Sequence, residues 1–262
     1  MRIYWEIIKN NYKSNFAYKF NFIISIFSNI IVFFIQFNIW RAIYGDMSII
    51  SSSVGEINLN EMITYLIIST CITIIINTNI LGTIGSSIQS GQLATELTRP
   101  LYLFLNSIGN NIFQILFQMI PALVIILLFF DIILPSTINF YLFLIALIYS
   151  YLINYLLRYL LGSLAYWYMS VWHFDLLITE VISVFAGAYI PIWFFPNVLL
   201  ELSKLLPFQL IYYFPLSIYL GKCQIKDIFY FYALQLFWIA VLFFLSNLLY
   251  KRGIKKLVIQ GG

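Results

Sequence analysis

Phe140–Tyr166 reads FYLFLIALIYSYLINYLLRYLLGSLAY, an apolar and aromatic run whose one charge is Arg158. About 20 apolar residues suffice to cross the hydrocarbon core of a bilayer as a helix, and this run is longer. The rest of the chain has the same character. Of 262 residues, 62% are hydrophobic, 19% aromatic and only 9% charged. A soluble domain is roughly a quarter charged. Ten acids and fourteen bases could not cover a globule of this size without leaving apolar patches beyond what soluble proteins tolerate. A water-soluble enzyme, a disordered chain and a disulfide-rich secreted domain are thereby excluded. The composition reads as an all-α polytopic membrane protein with room for about six spans.

Outward from the quoted run, five further spans are expected. Residues 1–19 predict a cytoplasmic amphipathic helix on the membrane surface. Trp5, Ile8, Tyr12 and Phe16 recur at helical spacing opposite Arg2, Glu6, Lys9 and Lys13, and no short apolar core of a cleavable leader is present. Span one runs from about Phe20 to Ile43, span two from Met62 to Leu81 and span three from Leu101 to Phe130. Span four is Phe140–Tyr166, and span five starts at Leu176 but meets Pro191 early. Pro191, Pro196, Pro207 and Pro215 then divide residues 191–222, which predicts short external re-entrant pieces. Span six covers Ile228–Tyr250, and residues 251–262 form a tail. With both termini cytoplasmic, the inner side holds Arg2, Lys9, Lys13, Lys19, Arg99, Arg158, Lys251, Arg252, Lys255 and Lys256. The outer side holds only Arg41, Lys204, Lys222 and Lys226, which satisfies the positive-inside rule.

No catalytic set is visible: HExxH, GxSxG, the P-loop and the dinucleotide fingerprint are all missing. Cys71 and Cys223 have no CxxC or Cys/His partner, so neither a metal nor a redox site is expected. His173 stands alone in a loop, where a structural or solvated role competes with pH sensing. The intramembrane ionisable groups are Arg158 and Glu180, toward the ends of adjacent spans. They read either as a structural ion pair or as part of a proton relay. Neutral polar stripes are more frequent. Ser107, Asn111, Gln114 and Gln118 share a face of span three, and Ser69, Thr73 and Asn77 share one of span two. Such faces either bind helices together or line a substrate path; Asn111, Gln114 and Gln118 are the path-lining candidates.

The polar stretch 82–100, GTIGSSIQSGQLATELTRP, faces the cytoplasm in this topology. Leu93 and Leu97 stand one helical turn apart, and Pro100 suits the first turn of span three. It is either an ordinary turn or a short helix that receives motion from a soluble motor.

GQLATELTRPLY resembles the G-x-L-x-x-x-L-x-R-P loop of the ABC-2 family of ABC-transporter membrane subunits, specifically its bacterial six-span branch. The resemblance extends over the chain through the Trp40-Arg41 pair, the prolines and aromatics of IPIWFFPNVLLELSKLLPFQLIYYFP, and the tail LVIQGG. It implies a type V exporter-like fold, with two six-span subunits forming one pathway in the bacterial cytoplasmic membrane. Carried onto this sequence, Gly91, Leu93, Glu96, Leu97, Arg99 and Pro100 fall on the coupling loop. It further implies a separate ABC ATP-binding subunit in two copies, which holds the ATP and Mg, and a second permease, related or identical. The chain itself is then a non-catalytic permease without a cofactor, exporting a drug-like, peptide or lipid-like substrate. The alternatives are a gradient-driven carrier or channel acting alone, whose marks would be intramembrane acids and inverted repeats, and a non-transporting immunity or scaffold protein.

Overall fold

The computed structural model describes residues 19–53, 55–89, 102–166 and 174–256. Helix α1 (Lys19–Tyr44) leads into a hairpin of β1 (Ile49–Ser52) and β2 (Gly55–Asn58), paired antiparallel with Ile50 opposite Ile57. Helices α2 (Leu59–Ile76) and α3 (Ile80–Gln89) follow, then α4 (Tyr102–Gln114), a π-helical turn Ile115–Met119 and α5 (Ile120–Leu127). Next come α6 (Thr137–Gly162), closed by a 3-10 turn Ser163–Tyr166, and α7 (Phe174–Phe185). Short pieces fill the segment before the last helix: 3-10 turns Ile192–Phe194 and Pro207–Leu210, α8 (Asn197–Leu205) and α9 (Tyr213–Tyr219). Helix α10 (Ile225–Lys256) completes the described chain.

Five helices among the described residues are long and apolar enough to cross a membrane: Ile23–Tyr44, Leu59–Ser87, Asn106–Leu127, Thr137–Tyr166 and Ile225–Gly253. Their burial ranks them. The most apolar window of the second is 56% buried, against 17% for the first and last, so the second crossing is the centre of the bundle. Helices α1 and α10 present Ile24, Phe27, Ile31, Phe237, Phe243 and Phe244 outward. An outward apolar face of this kind suits lipid, because the helix satisfies its own backbone groups.

Local chemistry explains the element ends. Asn58 and Glu61 form a reciprocal capping box that starts α2, and Ser136 caps α6 through the Asn139 amide. Within span three, Pro121 has no amide proton and its ring crowds the preceding turn. The Ile120 amide reaches back to the Ile115 carbonyl, so the helix widens by one residue just before the proline. Each proline of the broken segment opens a short piece. Pro191 precedes the first 3-10 turn, Pro196 stands at the start of α8, Pro207 opens the second 3-10 turn and Pro215 lies in the first turn of α9.

The fifth hydrophobic region is not one long helix. Helix α7 has 12 residues, about 18 Å at 1.5 Å per residue, against a hydrocarbon core of about 30 Å. The chain then turns at Gly187, whose φ of 84° favours glycine. The turn carbonyls, left without helical partners, find donors on other helices. Tyr65 donates to the Gly187 carbonyl, Ser69 to Ala188 at 2.7 Å and Trp40 Nε1 to Tyr189 at 3.3 Å. Farther on, the Ser53 amide meets the Trp193 carbonyl at 3.4 Å, joining this segment to the hairpin.

The chain then runs back among the spans. The Leu210 carbonyl accepts from Ser150 at 2.8 Å and Gln235 at 3.1 Å, both in the interior of long helices. The Tyr212 hydroxyl lies 3.1 Å from Thr73. Irregular backbone survives among apolar helices where protein groups satisfy it, and these side chains do so. At its end, Lys222 pairs with Glu61 at 2.7 Å and donates to the Glu56 carbonyl at 3.2 Å, tying the entry of α10 to the hairpin.

Candidate functional site

Span two is expected as one helix ending in a loop at Gly82. It is instead two helices, and Gly82–Gln89 lies within α3. The break is Asn77-Thr78-Asn79, three polar residues between the apolar stretches TCITIII and ILGTI. Asn side chains compete for backbone hydrogen bonds and disfavour a helix interior. Asn77 takes an extended conformation (φ −65°, ψ 114°), and α3 restarts with the Thr83 amide bonded to the Asn79 carbonyl at 3.1 Å.

A helix end leaves its last carbonyls without intrahelical partners. Inside a bundle those carbonyls need donors from elsewhere, and three side chains supply them. Asn111 of α4 donates to the Ile75 carbonyl at 2.7 Å, and Asn154 of α6 donates to Ile76 at 2.7 Å. Arg158, one helical turn beyond Asn154, reaches the Thr78 carbonyl at 3.4 Å. Its positive charge also faces the negative end of the α2 dipole.

Of the two readings of Arg158 and Glu180, the ion pair between them does not form: Arg158 pairs with Asp175. Its Nη1 lies 3.1 Å from Asp175 Oδ1 and its Nη2 donates to Thr179 at 3.1 Å. Glu180 accepts instead from the Tyr189 hydroxyl at 3.0 Å. The reason is the start of α7. Asp175 lies in its first turn rather than in a free loop, and Thr179 stands one turn later on the same face.

Between the break and span three lies a cavity of about 240 Å3. The break contributes Asn77, Thr78, Asn79 and Thr83 to its wall. Span three contributes the expected Asn111, Gln114 and Gln118, together with Asn106, Ser107 and Asn110. The three path-lining candidates therefore share one cavity. Asn111 is 5% exposed and Thr78 3%. Asn111 Oδ1, Gln114 Oε1 and Thr78 Oγ1 have no hydrogen-bond partner among the described residues. Among the described residues no carboxylate lines the wall, and no group of three or more His, Cys, Asp or Glu could hold a metal.

The coupling-loop residues Gly91, Leu93, Glu96, Leu97, Arg99 and Pro100 lie outside the described residues, as do residues 1–18, His173 and the tail from 257. The break, Asn154 and Asp175 were not singled out from the sequence. The run Asn77-Thr78-Asn79 inside a long apolar stretch was the available signal for the first. For Asn154 and Asp175 the partners are distant in sequence, and no spacing announces them.

A family model described as ABC-2 family transporter protein matches residues 30–261. No curated protein and no solved structure matches the chain.

Proposed function

The chain belongs to the ABC-2 transporter family, as a multi-pass helical membrane protein, and we propose that it is the permease subunit of an ATP-driven exporter. The family match over residues 30–261 carries this reading. The near absence of intramembrane acids supports an energy source outside the chain. ATP and Mg belong in this reading to a separate ABC ATPase, present in two copies. The permease contributes no bond-breaking chemistry. Its partner across the pathway is a second six-span permease, related or identical.

In this reading α7 and the irregular residues after it make the fifth crossing, which brings the five long helices to six. Support comes from their contacts: Asp175 pairs near the inner end of α6, whereas Trp193 meets the hairpin. Pro191–Lys222 then forms the external re-entrant segment, with its deepest point near Leu210, between Ser150 and Gln235. Six crossings leave both termini cytoplasmic, consistent with the distribution of Lys and Arg, with residues 1–19 as an interfacial helix of the bacterial cytoplasmic membrane and 251–262 as a cytoplasmic tail.

Closure of the motor dimer moves the coupling loop, with Gly91, Leu93, Glu96, Leu97, Arg99 and Pro100 at the contact. The break at Asn77–Asn79 lets α3, which precedes this loop, tilt without dragging α2. Asn111, Gln114 and Gln118 line the substrate path. Replacing Glu96 and Arg99 together by Ala tests the docking. The expected outcome is intact membrane insertion with loss of permease-stimulated ATPase activity in the co-purified complex. Stimulation equal to that of the wild type would reject the loop as the motor contact.

A further inference from the structure

We infer that the cavity at the span-two break binds a small uncharged ligand, or an uncharged head group, that offers several hydroxyl or amide donors. The inference deepens the permease reading and rests on it for the idea that the ligand is carried. The binding itself is argued from the wall. Asn111 Oδ1, Gln114 Oε1 and Thr78 Oγ1 are buried oxygens without a protein donor. Buried polar oxygens left unpaired weaken a fold, and all three belong to residues that line the cavity, which fits a guest that brings donors. Asn111 cannot turn its amide group to help itself, because its Nδ2 is held by the Ile75 carbonyl at 2.7 Å. The cavity of about 240 Å3 has room for about eight waters at ~30 Å3 each, the size of a small polyol or acylated amine.

Charge selects among guests. A divalent cation or an ammonium group would find no carboxylate among the described residues of the wall, and Arg158 sits directly behind Thr78. An anion would face the unpaired amide oxygens of Asn111 and Gln114, and the guanidinium that could attract it already holds Asp175. A neutral donor-bearing guest meets neither penalty. The π-helical turn Ile115–Met119, which carries Gln118, lies on this same stretch of span three, and such turns recur at functional sites.

The test uses the full chain in lipid nanodiscs without an ATPase, titrated with four probes and read by saturation-transfer NMR. The probes are myo-inositol and N-acetylglucosamine as neutral guests, ethanolamine as a cation and inorganic phosphate as an anion. At least one neutral probe is expected to bind saturably, with neither charged probe doing so. Gln114 makes no side-chain hydrogen bond among the described residues, so Gln114→Met removes an orphan acceptor. This variant should bind the neutral probe at least tenfold more weakly while its Tm stays equal or rises. Gln118→Met is expected to weaken binding in the same direction. Failure of both neutral probes, binding indifferent to Gln114→Met, Gln114-dependent binding of a charged probe, or a lowered Tm in Gln114→Met would overturn the inference. Because no motor is present, such a failure counts against this site alone, whereas lost ATPase coupling is read separately in the Glu96/Arg99 variant.

Discussion

Arg158 joins three backbone and side-chain systems: the frayed end of α2, the start of α7 and the body of α6. Its side chain is 6% exposed and that of Asp175 30%, so the pair is shielded on one side and partly wet on the other. Removing the cation leaves the Thr78 carbonyl and Asp175 short of a partner. Arg158→Met is expected to cost about 2–3 kcal/mol, at the low end for a broken buried pair because Asp175 is partly solvated. Asp175→Asn should cost less, about 1 kcal/mol, since an amide still accepts from the guanidinium. Glu180→Gln should stay within about 0.5 kcal/mol, because the amide oxygen still accepts from Tyr189. Thermal unfolding of the three variants in nanodiscs ranks them. A Glu180→Gln loss equal to that of Arg158→Met would return the ion pair to Glu180.

At the scale of elements, two glycines on helices predict opposite outcomes. Helix α10 passes the 3-10 turn after α6 so closely that a Cβ on Gly253 would stand 2.4 Å from Tyr166 Cδ2 and 2.8 Å from Tyr166 Cβ. The near atoms lie at the root of the side chain, where a rotamer change gives little relief. Gly253→Ala is expected to destabilise by about 1–3 kcal/mol through overpacking. Gly85, inside α3, has nothing among the described residues within 4 Å of an added Cβ. Gly85→Ala should therefore stabilise by about 0.5–1 kcal/mol, the ordinary gain of alanine over glycine in a helix interior. Denaturation midpoints of the two variants should move in opposite directions; a parallel shift would mean that α10 does not pack on Tyr166 as described. The same reasoning explains why α3 is separate. Its break consists of residues that make poor helix interiors, and Asn111, Asn154 and Arg158 supply the donors that a broken helix needs.

For the whole molecule, the topology proposed for the termini can be read at Cys223, one of only two cysteines. It lies in the turn before α10, beside Lys222, which is bound to the hairpin. Burial and the nearby Asp227 carboxylate push its thiol up to about 11. A raised thiol pKa favours the neutral form, so at pH 8 only on the order of a thousandth is thiolate. In a Cys71→Ala background, alkylation by a membrane-impermeant reagent should be slow at pH 8. It should speed up about tenfold per pH unit toward 11. It should also proceed from the external face of intact cells, because the six crossings proposed above place this turn outside. Labelling only after the cytoplasmic face is opened would reverse the topology. Lys222, Glu61 and the hairpin would then report an inner rather than an outer surface.

The lipid environment was legible from charge scarcity alone, because 9% charged residues cannot wet the surface of a soluble chain of this size. The long apolar runs located the helices that cross, and the prolines at 191, 196, 207 and 215 marked where short pieces begin, because a missing amide proton acts locally. The stripe of Asn111, Gln114 and Gln118 was legible for the same reason: helical spacing is a property of neighbours in sequence. Which acid answers Arg158 was not, nor was the use of Asn154 to cap a carbonyl 78 residues away. Those choices belong to packing. Once Asn77–Asn79 breaks the central helix, buried carbonyls accept from whichever donors the folded bundle brings within reach, and only the tertiary structure decides which those are.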